Sequence, residues 1–376
     1  MRFALVAGEA SGDLLAGLLL GGLKQRWPQL RMDGIGGPQM AAQGFEAWWP
    51  SDRLAVRGYV EVLRHYREIA GIRSALAERL LRDPPTAFIG IDAPDFNLGL
   101  ELRLRRAGVK TIHFVCPSIW AWRAGRAKTL AASCDHVLCL FPFEPGLLQA
   151  HGVAATFVGH PLADAIPLQA PRDAARQALG VAPGQALVAV LPGSRRSEIA
   201  YNAPSFLEAA VLMHRQRPDL RFVLPLAPGL RPLVEPLLAR HAPELPMALT
   251  DGDSHAALAA CDVTLIASGT ATLEAALFRR PMVIGYRIHP VSWLLMKRMA
   301  LQPWVGLPNI LCREFVVPEL LQQACTPASL AAAAFDWLDR PQRVAQLEQR
   351  FEDLHHRLRQ DTARRATDAI AQALQA

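Results

Sequence analysis

The chain has 376 residues, more than one hydrophobic core ordinarily supports, so two domains are expected. It is 51% apolar and 20% charged, the balance of a folded protein, which excludes a disordered or low-complexity chain. A net charge of +6 favours anionic partners such as phosphates or membrane surfaces, whereas the lack of any RNA-recognition, zinc-finger or basic-arm signature argues against nucleic acid.

"RFALVAG" reads as a buried strand leading into the small-residue turn "GEASGD", where Ser11 and Gly12 suit close approach of a ligand. Charges at Glu9 and Asp13 come too early for a secretory signal peptide, so a cytoplasmic protein is expected. "YVEVLRHYREIAGIRSALAERLLRD" has helical periodicity. Its apolar residues Val60, Leu63, Ile69, Ile72, Leu76 and Leu80 are interspersed with Arg64, Arg67, Arg73, Arg79 and Arg82. Two readings stand side by side: an amphipathic helix packed on the core, or a reversible contact with an anionic lipid leaflet.

"AFIGI", "TIHFVC" and "HVLCL" are further short apolar runs, and "FNLGLELRLRRAG" is a helix ending at Gly108. Such alternation predicts a doubly wound α/β unit. Ligands of open α/β sheets bind beyond the C-terminal strand ends, which draws attention to Asp92 immediately after "AFIGI". Asp95 or Asn97 can serve as a helix cap, but Asp92 sits too early for that and suits a general base. "CPSIWAWRAGR" sets Trp120 and Trp122 beside Arg123 and Arg126, either a sugar-phosphate platform or tryptophans pinned in a core.

The proline-bearing stretch 160–172 is the expected linker, dividing an N-terminal domain at 1–165 from a second at 173–340. The strand pattern then restarts in "ALVAVLPG", "RFVLPLAP", "VTLIASG" and "MVIGYR". After the first comes "PGSRRSEI". Gly193 and Ser194 permit a close backbone turn, and Arg195 offers a planar fork to a phosphate; an ordinary turn with exposed arginines is the alternative. "SGTATLE" is a second anion-suited turn at a helix start. It carries Ser268, Gly269 and Thr270, with Glu274 one helical turn further on, able to accept hydrogen bonds from a ribose diol or simply to favour the helix dipole. Two such turns in one domain point to a nucleoside diphosphate.

"WLLMKRMALQPWVGL" is interrupted by Lys297 and Arg298, which excludes a membrane span and makes a second candidate lipid contact. The last segment, 341–376, is predicted helical throughout and free to lie back across the first domain. Six cysteines show no zinc-ligand spacing, so no metal is expected. No GxGxxG fingerprint appears, which disfavours a nicotinamide or flavin cofactor.

In order, "GEASGD", "GIGGP", "GIDAPDFN", "PSIWAWR", "FVGHP", "LPGSRRSEI", "ASGTATLE" and "LPN" resemble the lipid-A-disaccharide synthases of Gram-negative bacteria. The resemblance runs from residue 3 to about residue 323. It implies a GT-B fold, two Rossmann-like domains facing across a cleft, and an inverting glycosyltransferase without metal or cofactor. The donor implied is UDP-2,3-diacylglucosamine and the acceptor is the 6-hydroxyl of 2,3-diacylglucosamine 1-phosphate (lipid X). The products are the β-1′,6-linked lipid A disaccharide 1-phosphate and UDP. Asp92 matches the family's essential aspartate; Gly193, Ser194 and Arg195 match the diphosphate loop. Ser268, Gly269, Thr270 and Glu274 match the nucleotide turn, and Asn309 of "LPN" a donor-side polar position. Ser11, Gly12, Trp120, Trp122 and Arg123 fall on the acceptor side. Peripheral attachment to the inner face of the inner membrane is implied, with a homodimer left open. Arg57 stands where the family usually has an apolar residue, and Cys116 where serine is common. The rival readings are a UDP-sugar 2-epimerase and a non-catalytic sugar-nucleotide-binding protein.

Overall fold

The computed structural model describes residues 1–8, 10–54, 59–121 and 125–375. The chain forms two compact units, Met1–Ala165 with Leu358–Ala376, and Ile166–Arg357. Each is built on one parallel sheet, as the alternating strand and helix signals require.

The first sheet contains β1 (Arg2–Ala7), β2 (Arg31–Gly36), β3 (Glu46–Pro50), β4 (Ala87–Ile91), β5 (Lys110–Phe114), β6 (His136–Cys139) and β7 (Ala155–Phe157). Their spatial order is β3-β2-β1-β4-β5-β6-β7. β1 and β4 are neighbours in register, with Leu5 opposite Ile89 and Ala7 opposite Ile91. Residues 87–91 are all buried, because helices cover both faces of a parallel sheet and leave no solvent side for polar alternation.

The second unit holds β8 (Leu187–Leu191), β9 (Arg221–Leu226), β10 (Met247–Asp251), β11 (Val263–Ile266), β12 (Met282–Tyr286) and β13 (Glu319–Leu321), in the order β10-β9-β8-β11-β12-β13. In both sheets the strand order reverses beside the first strand, between β1 and β4 and between β8 and β11. A crevice for ligands opens at such a reversal, outside the carboxyl ends of the strands. The turns after β1 and β4 are "GEASGD" and Asp92; those after β8 and β11 are "PGSRR" and "SGT". The topology therefore carries all four motifs to the reversal points of their own sheets.

The helix Tyr59–Arg82 settles half of its ambiguity. Leu76 and Leu80 are fully buried, and Ile69 and Ile72 pack against the same core cluster. Its C-terminal half is thus a core-facing helix with Arg67, Arg79 and Arg82 exposed. Arg57 and the side chains of Val60, Leu63 and Arg64 lie outside the described residues.

The C-terminal segment is not one continuous helix. It divides into Pro341–Leu358 and Thr362–Gln375, with Asp361 in the left-handed region at φ 55°. Asp164 makes the break: its carboxylate accepts the N–H of Asp361 at 3.0 Å and of Thr362 at 2.7 Å, capping the second helix. That helix then packs on Ala10–Arg26 in the first unit through buried Ala366, Ala369, Ile370 and Ala373.

Candidate functional site

In the first unit, the centre is Asp92. It is half-buried, and both it and Ala93 have positive φ, 49° and 42°. Two consecutive non-glycine residues in this region cost backbone strain and persist only where their surroundings hold them. Asn97 does the holding. Its fully buried Nδ2 donates to the carbonyl of Asp92 at 2.9 Å and lies 3.3 Å from that of Ile91 and 3.4 Å from that of Val6. Neither Asn97 nor Asp95 caps the helix Pro94–Arg106, whose N-cap is Ala93 without a side-chain bond.

The first motif is brought to the same place. A Cβ on Gly8 would stand 3.2 Å from Cβ of Ala93, and one on Gly12 would stand 3.8 Å from the carbonyl of Ile91. Ser11 is half-buried at the start of the helix Ala10–Arg26. Asp13 serves the fold: its carboxylate accepts the N–H groups of Gly37, Gln39 and Met40 at 2.9, 2.9 and 3.1 Å. This pins "GIGGP" to "GEASGD", and a side chain at Gly37 would meet Asp13 Oδ2 at 2.6 Å.

Trp120 is committed to the core rather than displayed as a platform. Its ring meets Phe141 and Phe143 edge-on, and its Nε1–H donates to Glu144 at 3.0 Å. Burial pushes the Glu144 carboxyl up to about 8, and its other oxygen accepts the N–H of Phe141 at 3.0 Å. Ligand-type atoms of Cys116, Cys139 and Glu144 lie within 4.8 Å of one another, a grouping that residue spacing did not reveal. Burial raises the Cys139 thiol well above its usual range, so thiol and carboxyl sit here as neutral groups. Trp122 and Arg123 lie outside the described residues.

In the second unit the two anion-suited turns take shape. Gly193 has φ 135°, and a Cβ there would lie 2.4 Å from Cβ of Glu198, so only glycine fits. Glu198 was not legible as a site residue, yet it organises the loop. One of its oxygens accepts the Ser194 N–H at 3.0 Å and the other the Arg195 guanidinium at 2.6 Å. The Glu198 pair thus fixes the Arg195 guanidinium at the Gly193–Ser194 turn. Asn202, fully buried in the helix Arg196–Gln216, accepts the Arg287 N–H at 2.7 Å and so ties this helix to the end of β12.

At the other turn, Gly269 is the exposed N-cap of the helix Thr270–Leu277 with φ 155°, again a glycine conformation. Thr270 is exposed and Ser268 half-buried, its Oγ donating to the carbonyl of Val305 at 3.4 Å. Glu274 is half-buried with an oxygen 3.6 Å from Nε2 of His255, and this carboxylate raises the imidazole pKa above its ordinary value. Asn309 engages its amide within the fold. It is fully buried, and both ends of its amide are consumed: Nδ2 by Val317 O and Glu319, Oδ1 by Val317 N. Glu319 in turn accepts the N–H groups of Val305 and Gly306 at 2.9 and 2.8 Å, so "LPN" supports the loop that Ser268 touches.

Comparison with known proteins bears on this arrangement. The family model described as lipid-A-disaccharide synthetase matches residues 3–374. A lipid-A-disaccharide synthase of Verminephrobacter eiseniae (strain EF01-2) is 58% identical over 375 residues, spanning 98% of this chain and 96% of that relative. The chain belongs to the lipid-A-disaccharide synthetase family. Two solved structures are similar in fold alone. The UDP-GlcNAc 2-epimerase from Neisseria meningitidis bound to UDP-GlcNAc superposes with a TM-score of 0.68 at 12% identity, covering 100% of both chains. MurG of Acinetobacter baumannii does so with a TM-score of 0.61 at 15% identity, covering 99% of each. Two Rossmann-like units of parallel sheet in one chain are the α/β, GT-B class that the motifs imply. Membership of this family makes the protein a glycosyltransferase of lipid A biosynthesis; the epimerase likeness extends to architecture, not to sequence.

Proposed function

We propose that this protein transfers 2,3-diacylglucosamine from UDP-2,3-diacylglucosamine to the 6-hydroxyl of 2,3-diacylglucosamine 1-phosphate, with inversion. The observation that carries the mechanism is the strained, Asn97-tethered turn presenting Asp92 beyond β4, at the reversal point of its sheet. A single displacement needs one base and a stabilised leaving group. The Asp92 carboxylate takes the hydroxyl proton as the acceptor oxygen bonds to the donor's anomeric carbon. The bond from that carbon to the diphosphate oxygen breaks, and UDP leaves with the electron pair. Arg195 and the backbone N–H groups of the Ser268–Thr270 turn hold the negative charge that develops, an electrostatic arrangement fixed before reaction. Gly193 and Ser194 admit the diphosphate closely, and Glu274, steadied by His255, accepts from the ribose diol.

Acylated substrates require contact with a lipid surface. Among the described residues no helix is long and apolar enough to cross a membrane. The helix Pro290–Met299 has no buried residue, and Val291, Leu294 and Leu295 are exposed on one face with Arg298 one turn on. The run 289–313 contains no acidic residue. This supports peripheral binding to an anionic leaflet by shallow apolar contact plus cations. Sedimentation with anionic vesicles should be salt-sensitive; indifference to lipid charge would remove the association.

The activity itself is tested by mass spectrometry of products from defined acyl donors, with and without acceptor. A tetraacyl disaccharide phosphate and UDP, formed only when acceptor is present, are expected. Release of UDP or an epimerised sugar without acceptor would instead favour the epimerase reading.

A further inference from the structure

Two and three residues after Asp92 in the chain, Pro94 and Asp95 enter the lining of an open cavity of about 540 Å³ in the first unit, together with Arg73, Leu98, Gly99, Arg126 and Thr129. Two guanidinium groups converge there on one residue. Arg73 Nη1 approaches the carbonyl of Asp95 at 3.4 Å, and Arg126 Nη2 donates to the carboxylate of Asp95. The Arg126 side chain is 16% exposed, whereas that of Asp95 is 83% exposed. Gly99 makes room for the first arginine, since a Cβ there would stand 3.3 Å from Arg73 Nη1. The arginine is therefore mostly buried while its carboxylate partner is mostly exposed, so a more highly charged anion entering the cavity can compete for the guanidinium.

We propose that this cavity takes a phosphomonoester, the phosphate borne by the acceptor sugar, with Arg73 and Arg126 as its clamp and Asp95 as the anion it displaces. The inference rests on the transferase reading and specifies its acceptor. A phosphomonoester carries nearly two negative charges at neutral pH and accepts paired N–H bonds from guanidinium more strongly than one carboxylate oxygen does. The placement fits a sugar phosphate: Pro94 and Asp95, which enter the lining, follow Asp92 in the same strand-to-helix turn. Leu98 and Gly99 give the ring an apolar, uncrowded wall, and Thr129 adds a hydroxyl donor.

The test compares two acceptors, 2,3-diacylglucosamine with and without its 1-phosphate, in detergent micelles with the full-length protein. Wild type should favour the phosphorylated acceptor in kcat/KM. Arg73→Gln and Arg126→Gln should each cut that preference about tenfold or more, through the acceptor KM, while UDP affinity by calorimetry stays within about twofold. Equal losses on both acceptors, or an unchanged preference, would overturn the clamp. Asp95→Asn provides a second reading independent of removing either arginine: the acceptor KM should fall by about two- to fivefold, as expected for removing an exposed ion pair, and a KM that holds or rises counts against the proposal. Glucosamine 1-phosphate and inorganic phosphate separate the sources. Saturable binding of the sugar phosphate to wild type, weakened in Arg126→Gln, supports the subsite without any turnover; equal binding of both probes to wild type and variant refutes it. Absence of transfer to either acceptor, with sugar-phosphate binding intact, would fault the transferase reading and leave the anion site standing.

Discussion

The side-chain amide of Asn97 holds the carbonyl of Asp92 at 2.9 Å, and through it a buried residue of one helix fixes the exit of β4. The Asp92 backbone lies at φ 49°, so the chain leaves the extended conformation of β4 at this residue, at the sheet's reversal point. This single hydrogen bond links a fold constraint to the proposed base.

Asp92→Asn should fold normally, since asparagine tolerates the left-handed region better than other residues. It should bind UDP with unchanged affinity by calorimetry, while turnover falls about 10²–10⁴-fold. Wild-type turnover in this variant would exclude Asp92 as the base.

Asn97→Ala removes the donor from a buried carbonyl and should cost about 1–3 kcal/mol of stability, read by denaturant unfolding. Turnover should drop more than acceptor KM changes, because the base is displaced rather than lost. Full activity in a destabilised protein would confine Asn97 to a structural role.

Gly193→Ala is expected to weaken UDP binding. The added methyl must occupy φ 135° and meets Glu198 Cβ at 2.4 Å, so the loop has to shift and with it the Arg195 pair; strain of this kind costs about 1–3 kcal/mol. Calorimetric titration with UDP checks it, and affinity equal to wild type would detach this loop from the nucleotide.

The His255–Glu274 pair sets a pH dependence. The carboxylate raises the folded-state pKa of His255 above its ordinary 6.5, so protonated histidine is favoured by folding. The pair's stabilisation is complete below pH 6.5 and is lost as pH rises through the folded pKa. His255→Gln should therefore lower the melting temperature at pH 5.5 and leave it nearly unchanged at pH 8.5; an equal effect at both would dissociate the imidazole charge from stability.

Legibility followed the range over which each interaction acts. Asp92, the Gly193 turn and the Ser268–Gly269–Thr270 turn could be read because strand, turn and helix signals are contiguous. Their supports could not. Glu198 resembles any first-turn acid until Gly193 is seen to need the space beside it. His255 belongs to a different helix from Glu274, and Glu319 gathers N–H groups from Val305 and Gly306 with no local motif to announce it. Asn309 shows the converse: the sequence marked it as a polar motif residue but could not show that its amide is buried and saturated by Val317 and Glu319. The break at Asp361 was invisible because its cap, Asp164, lies 197 residues away.

From the linear chain alone followed two α/β domains, the strand ends that carry chemistry, and the likeness to a family of lipid-handling glycosyltransferases, all consequences of short-range apolar periodicity and small-residue turns. Tertiary structure decided which polar residues remain available for ligands and which are spent on the fold. Hydrogen-bond saturation depends on partners that only folding brings together: it occupies Asn309, Asp13 and the Trp120 indole, while Arg73 and Arg126 meet at Asp95 on one cavity.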